Sequence, residues 1–427
     1  MIRQVSVPPF DRLTPFLPKP SVTDTATRRR VEEILADVAG RGDTAVRHWA
    51  RTFDGVDLPP ADWELPRSEW ETALDRVDIE VREALETACM RVREYHKRQR
   101  DQGFTLLEPD GSILGMRVVP LDRVGLYVPG GKAAYPSSVI MNAVPAGVAG
   151  VEEIIAVTPP GGVTDAVLVA CLLAGVSKIY RIGGVQAVGA LAYGTATIPR
   201  VDKIVGPGNK WVAEAKRQVF GPVGIDMIAG PTEVLIIADS SARPSWIAAD
   251  MIAQAEHDED ASAWLVTNDM QLADQIPAAL EGLLARNPRA EVARKALADN
   301  GLIVWVPTLQ DAVTVANMRA PEHLEIVTRN PDTIAADIRH AGAIFLGEDT
   351  PEPVGDYIAG PSHVLPTAGT ARYASPLGVY DFVRRQSLIH YTRPRLQQDA
   401  SRIIALAEAE GLFGHAEAVR IRVEPER

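Results

Sequence analysis

The spacing of apolar positions changes along the chain, and each change marks a different kind of element. Residues 1–20 mix prolines with hydrophobes and keep no period, which predicts an arm that packs onto another surface. From Val22 to Gln102 the period becomes helical. TATRRRVEEILADVAGRGDTAVRHWARTFDG places Val31, Ile34, Leu35 and Val38 on one face before running into glycines. SEWETALDRVDIEVREALETACMRVREYHKRQR predicts a second, longer helical region with a charged outer side. RVVPLDRVGLYVPGG then reads as a strand closed by a glycine turn.

From Leu126 to Asp239, β-branched runs (EEIIAVTPP, SKIYRIGG, VDKIVGPGN, EVLIIADSS) alternate with the small-residue helices AVLVACLLAGV and QAVGALAYGT. This alternation predicts a parallel sheet with crossover helices, and ligands on such sheets bind at the carboxyl ends of the strands. A second alternating region runs from Pro244 to about Gly347, with strands expected at AWLVT, GLIVWV, HLEIV and GAIFLG. The fold class is therefore α/β with two related lobes. No short-period repeat is visible. After Asp381 comes a helix, RLQQDASRIIALAEAEGL, then HAEAVRIRVEPER; this tail is too small to fold alone and is expected to dock on a lobe or a second subunit.

Composition narrows the classes. The 427 residues suffice for two or three domains, and 46% hydrophobic with 23% charged residues are ordinary globular values. Lys and Arg total 44 against 56 Asp and Glu, a net charge of −12, which argues against nucleic acid or an anionic membrane as main partner. Two cysteines, Cys89 and Cys171, are too few for a disulfide framework and point to a reducing compartment. The opening MIRQVSVPPFDRL has no long apolar core, and no apolar run reaches the ~18 residues of a membrane span. A cytoplasmic enzyme is expected.

Candidate chemistry falls in four places. In RPSWIAADMIAQAEHDEDASAWLVT, Gln254 and His257 sit three apart, so a carbonyl oxygen and an imidazole project from one helix face and could hold a metal. The same spacing also suits a plain helix C-terminus with a histidine near the dipole. The long segment GEDTPEPVGDYIAGPSHVLPTAGTARYASPLGVYDF, neither clearly helical nor stranded, offers Asp356 and His363 as ligands or proton carriers; an Asx turn and a histidine satisfied within the loop are the plainer readings. Glu322–His323 in RAPEHLEIV stands at the mouth of a strand, where one group can act as general base and the other orient it. Glu410 and His415 flank the turn EGLFGH in the tail. No GxGxxG follows a strand; Tyr127 with PGG, Gln186 after IGG and GPGN ending at Asn209 are glycine turns that allow backbone N–H groups near a pyrophosphate, or are ordinary turns. Cys89 and Cys171 lie in apolar helical runs, which disfavours sulfur nucleophiles.

These segments together resemble histidinol dehydrogenases. VGLYVPGGKAAYPSSVIMNAVPAGVAGV, RIGGVQA, KIVGPGN, GIDMIAGPTEVLIIAD, AQAEHD, APEHLE, AGAIFLG, GDYIAGPSHVLPT and EGLFGHAEAV follow that family's motifs in order, from about Val22 to the C-terminus. The resemblance implies two incomplete Rossmann-like lobes of aldehyde-dehydrogenase-like kind. It divides the chain into an arm (1–20), a first lobe with most metal and catalytic residues (21–125 and 240–380), a second, NAD-binding lobe (126–239), and a tail (381–427) that completes the site of the partner subunit in a homodimer. It implies zinc, one per subunit, on Gln254, His257, Asp356 and His415, with Glu322 and His323 as proton acceptors. Tyr127, Gln186 and Asn209 fall on NAD positions, and Thr232, Gln254, His257, His323, Asp356, Glu410 and His415 on substrate positions. Thr232 stands where serine is common, so its hydroxyl is kept and a methyl is added.

The implied reaction takes L-histidinol through L-histidinal to L-histidine with two NAD, ending L-histidine biosynthesis. An aldehyde has no hydride to give until water adds, and neither cysteine is placed to substitute for water. His323 is therefore expected to deprotonate the alcohol and Glu322 to activate the water, with zinc orienting the substrate. Two competing readings share these residues: a paralogue oxidising another small alcohol such as a sulfonated propanediol, and a zinc hydrolase in which Glu322 activates water. A zinc-binding scaffold without catalysis is a third.

Overall fold

A computed structural model describes residues 2–18, 23–130 and 135–424. Two compact units are distinguished, Met1–Gln99 with Leu121–Phe382, and Arg100–Pro120 with Val383–Arg427.

The larger unit opens with β1 (Arg3–Ser6), followed by α1 (Thr25–Arg41), α2 (Asp43–Asp54), α3 (Arg67–Arg76) and α4 (Ile79–Lys97). Asp24 caps α1 by accepting from Thr27 N at 2.8 Å, and the helix buries Val31, Ile34, Leu35 and Val38, the face the spacing predicts. The longer helical region predicted from SEWETA onward is two helices. Val77 is extended and Asp78 starts α4 by accepting from Glu80 N at 2.8 Å, so a capping carboxylate splits the run.

After β2 (Phe104–Leu107) and β3 (Ile113–Pro120), strands and helices alternate: β4 (Arg123–Tyr127), α5 (Pro136–Ala149), β5 (Glu153–Val157), α6 (Asp165–Ala174), β6 (Lys178–Tyr180), α7 (Gly184–Tyr193), β7 (Lys203–Val205), α8 (Lys210–Val219) and β8 (Gly224–Ile225). The strands β4 to β8 form a parallel five-stranded sheet in the order β6-β5-β4-β7-β8. One face is covered by α3 to α6, through Trp70, Leu85, Val92, Ile140 and Leu168. The other is covered by α1, α2, α7 and α8, through Ile34, Trp49, Val188 and Val212.

The second alternating stretch comprises β9 (Glu233–Ala238), α9 (Pro244–Ala255), β10 (Ser262–Thr267), α10 (Met270–Leu284), α11 (Ala290–Asn300), β11 (Leu302–Trp305), α12 (Leu309–Arg319), β12 (His323–Val327), α13 (Pro331–Ala335) and β13 (Ala343–Leu346). Its sheet is also parallel, ordered β1-β11-β10-β9-β12-β13. The N-terminal arm is thus an edge strand whose Val7 and Leu13 enter the core beside Val304 and Val315. Strands buried on both faces read as continuous apolar runs, which is why they were legible.

The lobe boundaries differ from those expected at three places, the first being residues 100–120, expected in the first lobe but part of the smaller unit. Residues 21–125 were grouped with 240–380, yet the buried faces of α1 to α4 share their cores with the five-stranded sheet. EVLIIA, grouped with the NAD-binding lobe, is β9, which pairs with β10 and β12 at the centre of the six-stranded sheet. Contiguous alternation does not set these boundaries; side-chain burial and strand pairing do. The segment expected to be irregular holds a short helix, α14 (Glu352–Tyr357).

The smaller unit is an antiparallel sheet with β14 (Val383–His390) and β2 flanking β3, followed by the paired helices α15 (Arg393–Ala409) and α16 (Phe413–Val423). Among the described residues no helix is long and apolar enough to cross a membrane.

Candidate active site

Thr232, Gln254, His257, Glu322, His323 and Asp356 gather at the amino ends of β9 and β12. Ala320 ends α12 in a left-handed conformation (φ 50°), Pro321 follows, and the chain turns so that Glu322 and His323 enter β12. Thr232 and Glu233 lie alongside, with Val234 in register with His323. Crossover helix α9 runs back to the same edge, bringing Gln254 in its last turn and His257 just past its end, where His257 N–H donates to Gln254 O at 3.3 Å. Helix α14 adds Glu352 and Asp356, one turn apart. The carboxyl-end rule therefore does not locate the chemistry of this sheet.

Glu322 is buried, and its Oε2 accepts from Thr232 Oγ1 at 2.6 Å and Glu233 N at 2.9 Å. Burial pushes its carboxyl up to about 7. His323 places Nδ1 3.2 Å from Glu233 O, while its Nε2 lies 3.7 Å from Asp356 Oδ1 and 3.9 Å from Glu352 Oε1. That Nε2 is buried with no hydrogen-bond partner among the described residues. Burial opposes the charged imidazole, but Glu322, Glu352 and Asp356 outweigh it and raise His323 to about 10. Burial lifts Glu352 to about 8. Asp356 is held below its ordinary value because His323, His363 and His257 outweigh its burial.

His257, Glu352 and Asp356 each offer one ligand atom, all within 4.8 Å of one another. Burial holds His257 below its ordinary value, keeping the imidazole neutral as a metal requires. The Gln254 amide is satisfied without a cation in one orientation: its nitrogen donates to both Glu352 oxygens (2.5 and 2.6 Å), and its oxygen accepts from Glu233 N (2.9 Å) and Thr232 Oγ1 (2.5 Å). Turned over, the amide oxygen faces that carboxyl group, a contact that either a proton on Glu352 or a cation shared with the neighbouring donors satisfies. The mixed nitrogen and oxygen donors thus fit zinc.

Glu352 was missed in the sequence because Pro351, Pro353 and Gly355 disguise its i,i+4 spacing to Asp356. Two further acidic groups were missed behind it. Glu325, two residues beyond His323, accepts from Glu352 N at 2.8 Å, and Asp250 on α9 faces it; burial raises both, Asp250 to about 6. His363 is satisfied within its loop, its Nδ1 3.0 Å from Asp356 O, the plainer of its two readings. Glu410, at the end of α15, and His415, on α16, belong to the smaller unit and are exposed.

The three NAD-position residues stand at the carboxyl edge of the five-stranded sheet, and Tyr127 and Asn209 line one 820 Å³ cavity with Gly130, Gly161, Gly184 and Trp211. Tyr127 Oη accepts from Gly184 N at 3.1 Å. Gln186 is fully buried, with Oε1 unpartnered among the described residues. Asn209 caps α8 by accepting from Trp211 N (3.1 Å) and Val212 N (3.2 Å). A Cβ on Gly130 would stand 2.4 Å from Gly162 Cα, so two backbones meet where a side chain cannot. An orphaned buried amide, a glycine cradle and this volume fit a dinucleotide. A second cavity of 500 Å³ is lined by Tyr135, which it shares with the first, and by His257, Glu352 and Asp356.

A family model described as histidinol dehydrogenase matches residues 17–423. The histidinol dehydrogenase of Dechloromonas aromatica (strain RCB) is 53% identical over 404 residues, covering 94% of this chain and 93% of that protein. That of Aquifex aeolicus (strain VF5) is 51% identical over 413 residues, covering 96% of each. The crystal structure of histidinol dehydrogenase from Elizabethkingia anophelis matches with a TM-score of 0.93 at 33% identity, covering 99% of this chain and 98% of that one. Matches of this extent in both sequence and fold show that the chain belongs to the histidinol dehydrogenase family.

Proposed function

We propose that this protein oxidises L-histidinol through L-histidinal to L-histidine, the closing reaction of L-histidine biosynthesis, using two NAD and one zinc per subunit. The observation that carries the reading is the donor group of His257, Glu352 and Asp356, which lines a cavity sharing Tyr135 with the glycine-lined one, with the His323 Nε2, unpartnered among the described residues, 3.7 Å from Asp356 Oδ1. Bound zinc would supply a fixed positive charge to orient the substrate's amine and imidazole, and bound NAD would supply the hydride acceptor. Gln254, His257 and Asp356 hold the metal, with His415 contributed by a second copy of the chain; Glu352 stands within the same donor group.

His323 takes the hydroxyl proton of the alcohol. With the charge of Glu352 and Asp356 offset by a bound cation, its imidazole returns toward the range of a general base. Glu322, poised near neutrality, takes a proton from the water that adds to the aldehyde carbon. Thr232 Oγ1 and Glu233 N hold the Glu322 carboxylate in place, and Thr232, His323 and Glu410 complete the substrate contacts. Tyr127, Gln186 and Asn209 hold the dinucleotide.

The protein works in the cytoplasm as a homodimer with shared sites. Free, buried Cys89 and Cys171 support a reducing compartment. Exposed Leu388, Ile389, Leu406 and Phe413 on the smaller unit support burial against a second copy. The test is NADH absorbance with a panel of amino alcohols and diols, with and without a chelator. Histidinol should give two NADH per molecule, lost on chelation. Histidinol inert beside another active substrate would refute the assignment.

A further inference from the structure

We infer that Asp54 selects NAD over NADP by accepting the hydroxyls of the adenosine ribose, an inference that rests on the dinucleotide reading of the 820 Å³ cavity. Asp54 is the last residue of α2, before Gly55 in the left-handed conformation, and it lines that cavity. A carboxylate is poorly placed there. It stands at the negative end of a helix, it is partly buried, and no cation pairs with it among the described residues. Its one printed polar neighbour is Gln186 Nε2, at a marginal 3.5 Å. Gln186 is itself fully buried, with its Oε1 unpartnered among the described residues, so the single long contact between the two groups leaves both with unused hydrogen-bonding capacity. Such a pair is stable in company with a ligand that brings hydroxyl donors.

The course of the cavity says which ribose this is. At one end lie Tyr135, shared with the cavity of the metal-ligand group, and Asp258, next to His257. The hydride must be delivered at that end, because the reacting carbon is held beside His323. The same cavity is lined by Ile34, Phe53 and Trp211 from α1, α2 and α8, helices on the face of the sheet opposite to α5, whose N-cap is Tyr135; this marks the far end from the metal-ligand group. That end offers flat apolar surface to an adenine, with Asp54 adjoining Phe53. A vicinal diol there donates to the carboxylate, whereas a 2′-phosphate brings like charge against it; Arg30, which also lines the cavity, is already paired with Glu33 at 2.6 Å and lies over the Trp49 ring.

The test is calorimetric titration of NAD and of NADP into the full-length protein, Asp54→Asn and Asp54→Ala. The wild type should bind NAD at least about tenfold more tightly than NADP. Asp54→Ala should weaken NAD about tenfold while NADP holds or improves, and the isosteric Asp54→Asn should improve NADP by removing the charge alone. A preference for NAD unchanged in both variants would overturn the role of Asp54 and leave the dinucleotide site standing. Failure of the wild type to bind either coenzyme would instead overturn the reading of the cavity, and this inference with it.

Discussion

Replacing Lys216 by methionine cuts an ion pair that straps the GPGN turn from both sides. Lys216 and Asp226 are 4% and 1% exposed and in direct contact. The ammonium donates to Gly206 O at 2.9 Å, and the carboxylate accepts from Gly206 N at 2.8 Å and Met227 N at 2.6 Å. Gly206 has a φ of 107°, and a Cβ there would lie 2.3 Å from Tyr127 O, so the turn has little freedom to relax. Methionine keeps the apolar stem and removes the charge, leaving Asp226 buried. Stranding one member of a buried pair costs about 3–5 kcal/mol; two remaining N–H donors place this case near the lower end. At about 1 °C per kcal/mol for a chain of 427 residues, the melting temperature should fall by roughly 3–4 °C. Lys216→Met with Asp226→Asn should recover at least half of that, since no lone charge remains. Calorimetric melting of the two single variants and the double variant decides the matter. A double variant no more stable than Lys216→Met would refute the reasoning. NAD affinity should fall in the single variant, because Asn209 closes the same turn.

Glu322→Gln should slow L-histidinal oxidation by about 10²–10⁴ and L-histidinol oxidation much less, read by single-turnover NADH formation; equal losses would contradict the division of labour with His323. His257→Ala and Asp356→Asn should each lower zinc content measured by elemental analysis while far-ultraviolet circular dichroism is retained, and full metal loading in either would remove that residue from the ligand set. The pair Asp250–Glu325 gives a pH signature. Both carboxyls are raised in the folded state, so their neutral forms stabilise it at acid pH, and that contribution is lost as pH rises through about 6. Glu325→Gln, which can still accept from Glu352 N, should therefore gain on the order of 1–2 kcal/mol over wild type at pH 8 and almost nothing at pH 4, seen in melting temperatures. An equal effect at both pH values would refute it.

The alternating strands were legible because a parallel sheet buried on both faces writes itself as unbroken β-branched runs. Its pairing was not, since nothing local in EVLIIA says that it neighbours HLEIV rather than KIVGP. The site was legible where chemistry stands in one short motif, as with Gln254–His257 and Glu322–His323. It was obscured at Glu352, whose helical spacing to Asp356 is interrupted by prolines and a glycine, and at Glu325 and Asp250, which meet only once β12 and α9 are packed. Asp54 gave no signal at all: its meaning arises from a cavity assembled across both faces of a sheet.

The seating of β1 beside β11 ties residues near the start of the sequence to a strand some three hundred positions later. During synthesis, β1 must wait for some three hundred further residues before its neighbour exists. A chain trimmed by seven residues would leave the outer rim of β11 open, a ready template for the same strand of another molecule. Affinity tags and fusions placed ahead of β1 therefore act directly on the solubility of the lobe that holds Glu322 and His323.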